Sequence, residues 1–204
     1  MNKIKTLVIA SLFFFSGTYL TNAQDAISQS TSATARIVAP LGFSLDGVLA
    51  FGDIAKPTSA ASGTVTLNPK NKERELDGVT NVGAGDDNDN FSLPTYTVTG
   101  EVGLAFTLTL PDDNAVTLYL LEEDDVNGWS VTATENEEND EMEITNFTSY
   151  RTDDDAPITT ATRSQNIGDD DDANKYVVGA TLNVKSTQTT GYYRGTFAVT
   201  AQYD

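Results

Sequence analysis

Carboxylates are the most numerous chemically active side chains in this sequence, and they are clustered. Thirty Asp and Glu face twelve Lys and Arg, for a net charge of −18. The clusters are Asp86, Asp87 and Asp89; Asp112 and Asp113; Glu122 to Asp125; Glu135 to Glu141; Asp153 to Asp155; and Asp169 to Asp172. Calcium takes several hard oxygen ligands in flexible geometry. The stretch "GDDNDN" offers Asp86, Asp87 and Asp89, with Asn88 and Asn90 between and after them, in one short turn. Calcium is therefore the metal these residues would hold. The glycine and distal glutamate spacing of an EF-hand loop is missing. A solvated acidic surface accounts for the same residues and is the weightier reading.

Other chemistries are narrower. A glycosidase needs two carboxyl groups at a fixed separation in a cleft, one with a raised pKa; crowded runs single out no such pair. The sequence contains neither histidine nor cysteine. Serine–histidine and cysteine–histidine catalysis, the usual zinc sites and disulfide stapling are thereby excluded. Trp129, Tyr119, Tyr150, Tyr192 and Tyr193 could stack on sugar rings, although core packing explains most aromatics in a β-protein. The high negative charge repels nucleic acid and anionic lipid. No enzyme is expected, and no cofactor is required beyond a conceivable calcium.

The elements that must position these residues are short strands. Leu104, Phe106, Leu108 and Leu110 alternate with Ala105, Thr107 and Thr109; Val178, Ala180, Leu182 and Val184 repeat the pattern. Period two is the mark of a half-buried strand. Further strands are expected at "ARIV", "VLAFG", "GTVTLNP", "YTVTG", "AVTLYLL", "WSVTAT" and "MEITNF", with no long helix. "LPDDNAV" predicts a hairpin, and "TGEVG" a glycine turn with Gly100 and Gly103 in it. Lys70 to Asn90 and Thr152 to Lys175 read as loops. Before all this, Lys3 and Lys5 precede "LVIASLFFF" and the small residue Ala23, the pattern of a secretory signal. The expected organisation is a signal peptide over 1–23, a flexible N-terminal arm over 24–32, and one β-sandwich domain over 33–204 with acidic loop insertions. Cleavage would remove two lysines and take the charge from −18 to −20. No second long apolar run follows, so stable membrane insertion is not expected.

The ordered set "FGDI", "GTVTLNP", "YTVTGEVGLAFTLTLP", "VGATLNV" and "GYYRGTFAVTAQY" resembles a family of exported bacterial proteins known only as domain of unknown function 4402. The resemblance runs from about Ala33 to Tyr203. It implies a secreted, antiparallel Ig-like or pilin-like β-sandwich of Gram-negative bacteria with fimbrial or surface roles. It carries over no catalytic residues.

The chain closes on "GYYRGTFAVTAQYD", in which Phe197, Val199, Ala201 and Tyr203 share one parity. Gly191 is fourteenth from the end and Tyr203 penultimate, an arrangement that resembles chaperone–usher pilins, whose last strand pairs with an assembly partner. This terminal strand is expected to face the core and to pair with "VVGATLNV" across "KSTQTTGYY". The expected function is an exported, non-catalytic cell-surface structural or adhesive subunit, located in the periplasm, on the surface or outside the cell. Its partners would be other surface subunits or an assembly chaperone. The alternative is a calcium-dependent glycan- or surface-binding module.

Overall fold

The computed structural model describes residues 28–59, 61–82, 90–124, 128–131, 139–152, 157–158, 162–168 and 174–204; for 122–124, 128–131, 157–158 and 162–165 it describes the backbone alone. In chain order the strands are β1 Gly42–Asp46, β2 Ile54–Ala55, β3 Gly63–Asn68, β4 Glu73–Asp77, β5 Thr80–Asn81, β6 Thr95–Thr99, β7 Ala105–Thr109, β8 Val116–Asp124, β9 Gly128–Val131, β10 Glu141–Arg151, β11 Pro157–Ile158, β12 Thr162–Asn166, β13 Lys175–Val184, β14 Tyr193–Arg194 and β15 Thr200–Tyr203. No α-helix occurs among the described residues. The fold is all-β and sandwich-like, and every strand pairing is antiparallel.

A large sheet runs β1-β6-β13-β10-β8-β14, with β3 and β4 added at β13, β11 at β10 and β9 at β8. A three-stranded sheet, β12-β7-β15, carries the other inward face, and β2 and β5 form a small pair. Alternation decides which side chains meet. Phe106 and Leu108 of β7 are fully buried, as are Val65 and Leu67 of β3, Val98 of β6 and Tyr176 and Val178 of β13. Phe106 meets Tyr176 edge-to-face, with ring centroids 5.9 Å apart and planes at 82°. That is the favourable arrangement for two ring quadrupoles.

The central strand, β13, is buried on both faces over most of its length. Its outer face holds Val177 opposite Tyr150 of β10, with the Lys70 ammonium 5.7 Å from the Tyr150 ring centroid. Two different strands share one edge of β13: β6 pairs with Lys175–Val177 and β3 with Thr181–Val184. At the changeover lies Gly179, where a Cβ would overlap the Leu67 carbonyl oxygen and sit 2.7 Å from Pro69 Cδ. The β3 backbone can cross there only because no side chain stands in the way. A β-bulge between Thr145 and Thr148 re-aims β10. Met142 and Ile144 point inward before it; after Asn146, at φ 52°, Phe147 does so on the opposite parity. One extra residue thus keeps the strand's apolar side chains on the core side.

Several expectations are corrected here. β7 and β8 are not a hairpin: they lie in different sheets, and Pro111–Asn114 carries the chain across the gap between layers. Both strands can then turn their apolar faces, Leu108 and Val116, to one core. Lys70 to Asn90 is not all loop, because it contains β4 and β5. In "ERELD" the inward positions are Arg74 and Leu76, and a buried arginine hides the alternation. The stretch from 152 to 175 likewise contains β11 and β12. "ARIV" enters no strand and is exposed, and "VLAFG" contributes only the isolated Ala50–Ser92 bridge. The terminal strand pairs with β7, not β13. The chain after β14 leaves the large sheet for the small one, where β7 still has a free edge.

Candidate functional site

The C-terminal segment joins both sheets. β14 pairs with β8, Tyr193 opposite Leu120 and Arg194 opposite Tyr119. β15 pairs with β7, Thr200 opposite Thr109 through Tyr203 opposite Phe106. Between them Gly195–Val199 belongs to no ladder, yet its side chains still alternate: Phe197 is half-buried and Val199 buried, while Thr196 and Ala198 are exposed. Phe197 packs on Phe147, centroids 5.1 Å apart. Ala201 and Tyr203 pack against the core, and Thr200 and Gln202 face out. Gly191 is exposed, and a Cβ there would lie 2.5 Å from Leu120 Cδ1.

Two polar knots fix the ends of this segment. At its start, Gln188 is buried and donates from Nε2 to the Asn139 carbonyl, to the Glu141 carbonyl at 3.2 Å and to Tyr193 Oη at 3.0 Å. The Tyr193 hydroxyl lies 2.6 Å from Thr189 O and 3.1 Å from Asn139 O. Burial pushes the Tyr193 phenol up; the Gln188 hydrogen bond pulls it down, and the Asp140 charge pushes it up again. The phenol therefore stays protonated and donating at neutral pH. At the other end, Tyr203 Oη accepts from Glu101 N at 2.8 Å and donates to Ala39 O at 3.0 Å. Gly100 makes room, since a Cβ there would overlap that hydroxyl. Tyr203→Phe is expected to cost about 1 kcal/mol. It should also speed amide exchange at Glu101; unchanged exchange there would show that the hydroxyl is not the partner that matters.

Beside the segment lies a groove of about 990 Å³ with a mixed lining that includes Asp53, Asn90, Arg194 and Thr196. Its deepest lining is core: Tyr96, Met142, Ile144 and Leu182, all buried. Its rim comes from Gly191–Phe197 and from Gly47–Ile54. The second stretch turns on left-handed glycines, Gly47 at φ 81° and Gly52 at φ 78°. Gly52 has a further constraint, because a Cβ would overlap Arg74 Nη1 and lie 2.5 Å from Asn90 Oδ1. Arg74 itself is buried, donating to Phe51 O at 2.9 Å and to Asn81 Oδ1 at 2.5 Å and lying over the Phe91 ring. Exposed apolar side chains gather at the groove: Leu45 is 57 % exposed, Val48 65 % and Tyr192 61 %. Sequence reasoning had singled out Gly191, Tyr192, Tyr193 and Phe197 but missed the Gly47–Ile54 part of this rim. The signal available was "FSLDGVLAFGDI", in which bulky apolar residues flank two glycines without an unbroken period-two pattern.

The family model for a domain of unknown function (DUF4402) matches residues 41–203. The chain belongs to the DUF4402 family. No curated protein and no solved structure matches it. The matched span of this DUF4402 chain opens one residue before β1 and closes at Tyr203, and so contains both walls of the groove.

The other candidate residues of the DUF4402 chain are not brought into one place. Asp86, Asp87 and Asp89, the proposed calcium ligands, lie outside the described residues. Among the described residues no group of three or more carboxylates is arranged to hold a metal ion. The Trp129 side chain is also outside them. Tyr150 is buried and Tyr193 half-buried, leaving Tyr119 and Tyr192 as the exposed aromatics of the suggested sugar platform. No helix among the described residues is long and apolar enough to cross a membrane.

Proposed function

We propose that this protein is an exported, non-catalytic structural or adhesive subunit of the bacterial cell surface. The observation that carries the reading is the groove: exposed Leu45, Val48 and Tyr192 line its rim beside Gly195–Val199, which has a strand's alternation and no ladder. A surface of that kind suits an extended polypeptide, whose backbone can pair with an edge while its side chains fill apolar pockets. The fimbrial-like resemblance supports the same reading. Its test is labelling of intact cells with antibody against the folded domain, followed by sizing of material sheared from them. Surface label with the protein in high-mass sheared material is the expected result. Label confined to lysed cells, with only monomer recovered, would overturn it.

A glycan-binding module aided by calcium is the second reading, favoured by exposed Tyr119 and Tyr192 near Arg194. On that reading calcium at a hundredfold excess over its dissociation constant stabilises the fold by about 2.7 kcal/mol. The melting temperature should rise with calcium, not with magnesium, and the rise should vanish when Asp86, Asp87 and Asp89 are changed to Asn. An identical melting curve with either ion removes the second reading.

A further inference from the structure

We infer that a cavity between β8 and the C-terminal segment binds a uronate residue of a glycan, its carboxylate on Arg194 and its ring on Tyr119. The inference rests on the adhesive form of the surface reading, supplies the ligand which that reading leaves unnamed, and calls for no metal ion.

The sheet pattern builds the site. Arg194 of β14 stands directly opposite Tyr119 of β8, so the two side chains leave the sheet on one face. Thr196 and Thr117 lie two residues from them along the chain, and period two returns both to that face. With Ala115 and Gly195, these four residues line an open cavity of about 490 Å³, a size suited to a small ligand. Arg194, Thr196 and Tyr119 are exposed and Thr117 is half-buried, so a ligand can reach their polar atoms. Gly195 fixes the approach of the two walls. A Cβ there would overlap the Thr117 carbonyl oxygen and sit 2.8 Å from Leu118 Cδ2, so a larger residue would push the segment off β8.

The donor set selects the ligand. The chain has thirty carboxylates, yet among the described residues none is paired with Arg194. Glu141 and Glu143 share its face, opposite Tyr119 and Thr117 on β10, but neither lines the cavity. Two strand spacings, roughly 10 Å, separate the β10 backbone from that of β14, about one Debye length at 0.1 M salt. A guanidinium offers five donors in a planar fork that matches a carboxylate bidentately. Thr117, Thr196 and Tyr119 add hydroxyls that can donate or accept, as sugar hydroxyls require. The Tyr119 ring offers an apolar face to the C–H face of a sugar. A simple anion would leave the ring and hydroxyls unused, and a neutral sugar would leave the charge unused. A uronate engages all of them.

The surrounding charge narrows the ligand further. A protein of net charge −18 repels a densely charged polyanion along its whole length. A glycan with single uronates set among neutral sugars brings one carboxylate to Arg194 and escapes most of that repulsion. Because β14 ends the large sheet, such a chain can run on past the cavity toward Tyr192, two residues from Arg194 and exposed.

The probes are methyl β-glucuronoside, its neutral isostere methyl β-glucoside, and acetate. Both sugars carry only equatorial ring substituents and so present C–H faces. Each probe is titrated into the isotope-labelled full chain and followed by backbone amide shifts. The glucuronoside should shift Tyr119, Arg194 and Thr196 saturably at millimolar concentrations. It should bind at least about tenfold more tightly than the glucoside, the lower end for a hydrogen bond to a charged group. Arg194→Gln should bring the two sugars to equal affinity, and Arg194→Lys should recover only part of the difference, since an ammonium keeps the charge and loses the fork. Tyr119→Ala should weaken both sugars alike. The Arg194 variants change an exposed side chain and should melt like the parent, which separates lost binding from lost folding. Equal binding of the two sugars by the parent chain would overturn the inference. So would acetate binding as tightly as the glucuronoside, or no response to either sugar. A glucuronoside response together with no antibody label on intact cells would refute the surface role and leave the site standing. Surface label without a response would refute the site and leave the surface role.

Discussion

Phe106→Ala is expected to cost about 3–5 kcal/mol, the range for removing a buried aromatic ring from a core. Phe106 is fully buried on β7, packs edge-to-face on Tyr176, and sits in a strand paired on both sides, with β12 and β15. Removing the ring leaves a cavity between the two sheets, and no side chain of a packed core can swing in to fill it. A domain's whole stability is on the order of 5–15 kcal/mol. The variant should therefore unfold at a much lower urea concentration, with the slope of the transition unchanged. Thr200→Ala is the control: it faces solvent on the neighbouring strand and should stay within about 0.5 kcal/mol. Similar midpoints for the two variants would mean that β7 does not carry the core.

What made Phe106 identifiable was local. Leu104, Phe106, Leu108 and Leu110 alternate without interruption, so a single pass along the chain places their faces. The terminal strand was legible for the same reason: the parity of Phe197, Val199, Ala201 and Tyr203 is the parity of burial in the structure. The all-β class and the family followed from many such runs taken together.

What the sequence concealed is non-local. Pro111–Asn114 has the composition of a hairpin turn, and the same residues serve equally well to carry a chain between layers. Which of the two occurs depends on whether the flanking strands share a sheet, and that is settled by their other neighbours. β4 was hidden because Arg74 occupies an inward position, where its guanidinium donates to Phe51 O and Asn81 Oδ1, both outside its own strand. The bulge at Asn146 shifts parity within one strand, so a reading of "MEITNF" alone assigns Phe147 to the wrong face. The groove was the least legible feature of all. Its floor comes from strands β6, β8, β10 and β13 and its rim from the two ends of the domain, so no stretch of sequence contains it.

Deletion of Thr196–Asp204 is expected to be more damaging than any single substitution. It removes Phe197 from Phe147, Val199 from the core, the ladder of β15 on β7, and the Tyr203 hydroxyl that holds Glu101 N and Ala39 O. Each lost hydrogen bond contributes about 0.5–1.5 kcal/mol, and each large apolar side chain about 1.5–3 kcal/mol when fully buried. Even discounted for the partial exposure of Phe197 and Tyr203, the sum reaches about 5 kcal/mol, the lower bound of a domain's stability. The truncated chain should show no cooperative melting at 25 °C or above. Adding the peptide "TFAVTAQYD" in excess should restore a single transition, because the missing strand needs only an edge and an apolar row to dock, and both belong to β7 and its neighbours. Restoration by that peptide but not by one with Phe197 and Val199 changed to Asp would trace the effect to the inward row. A truncated chain that melts like the full one would show that the last strand is an ornament on a finished sheet. Rescue in trans, in contrast, would establish that a strand in this fold can be supplied from outside the molecule, the physical condition that any assembly by strand addition must meet.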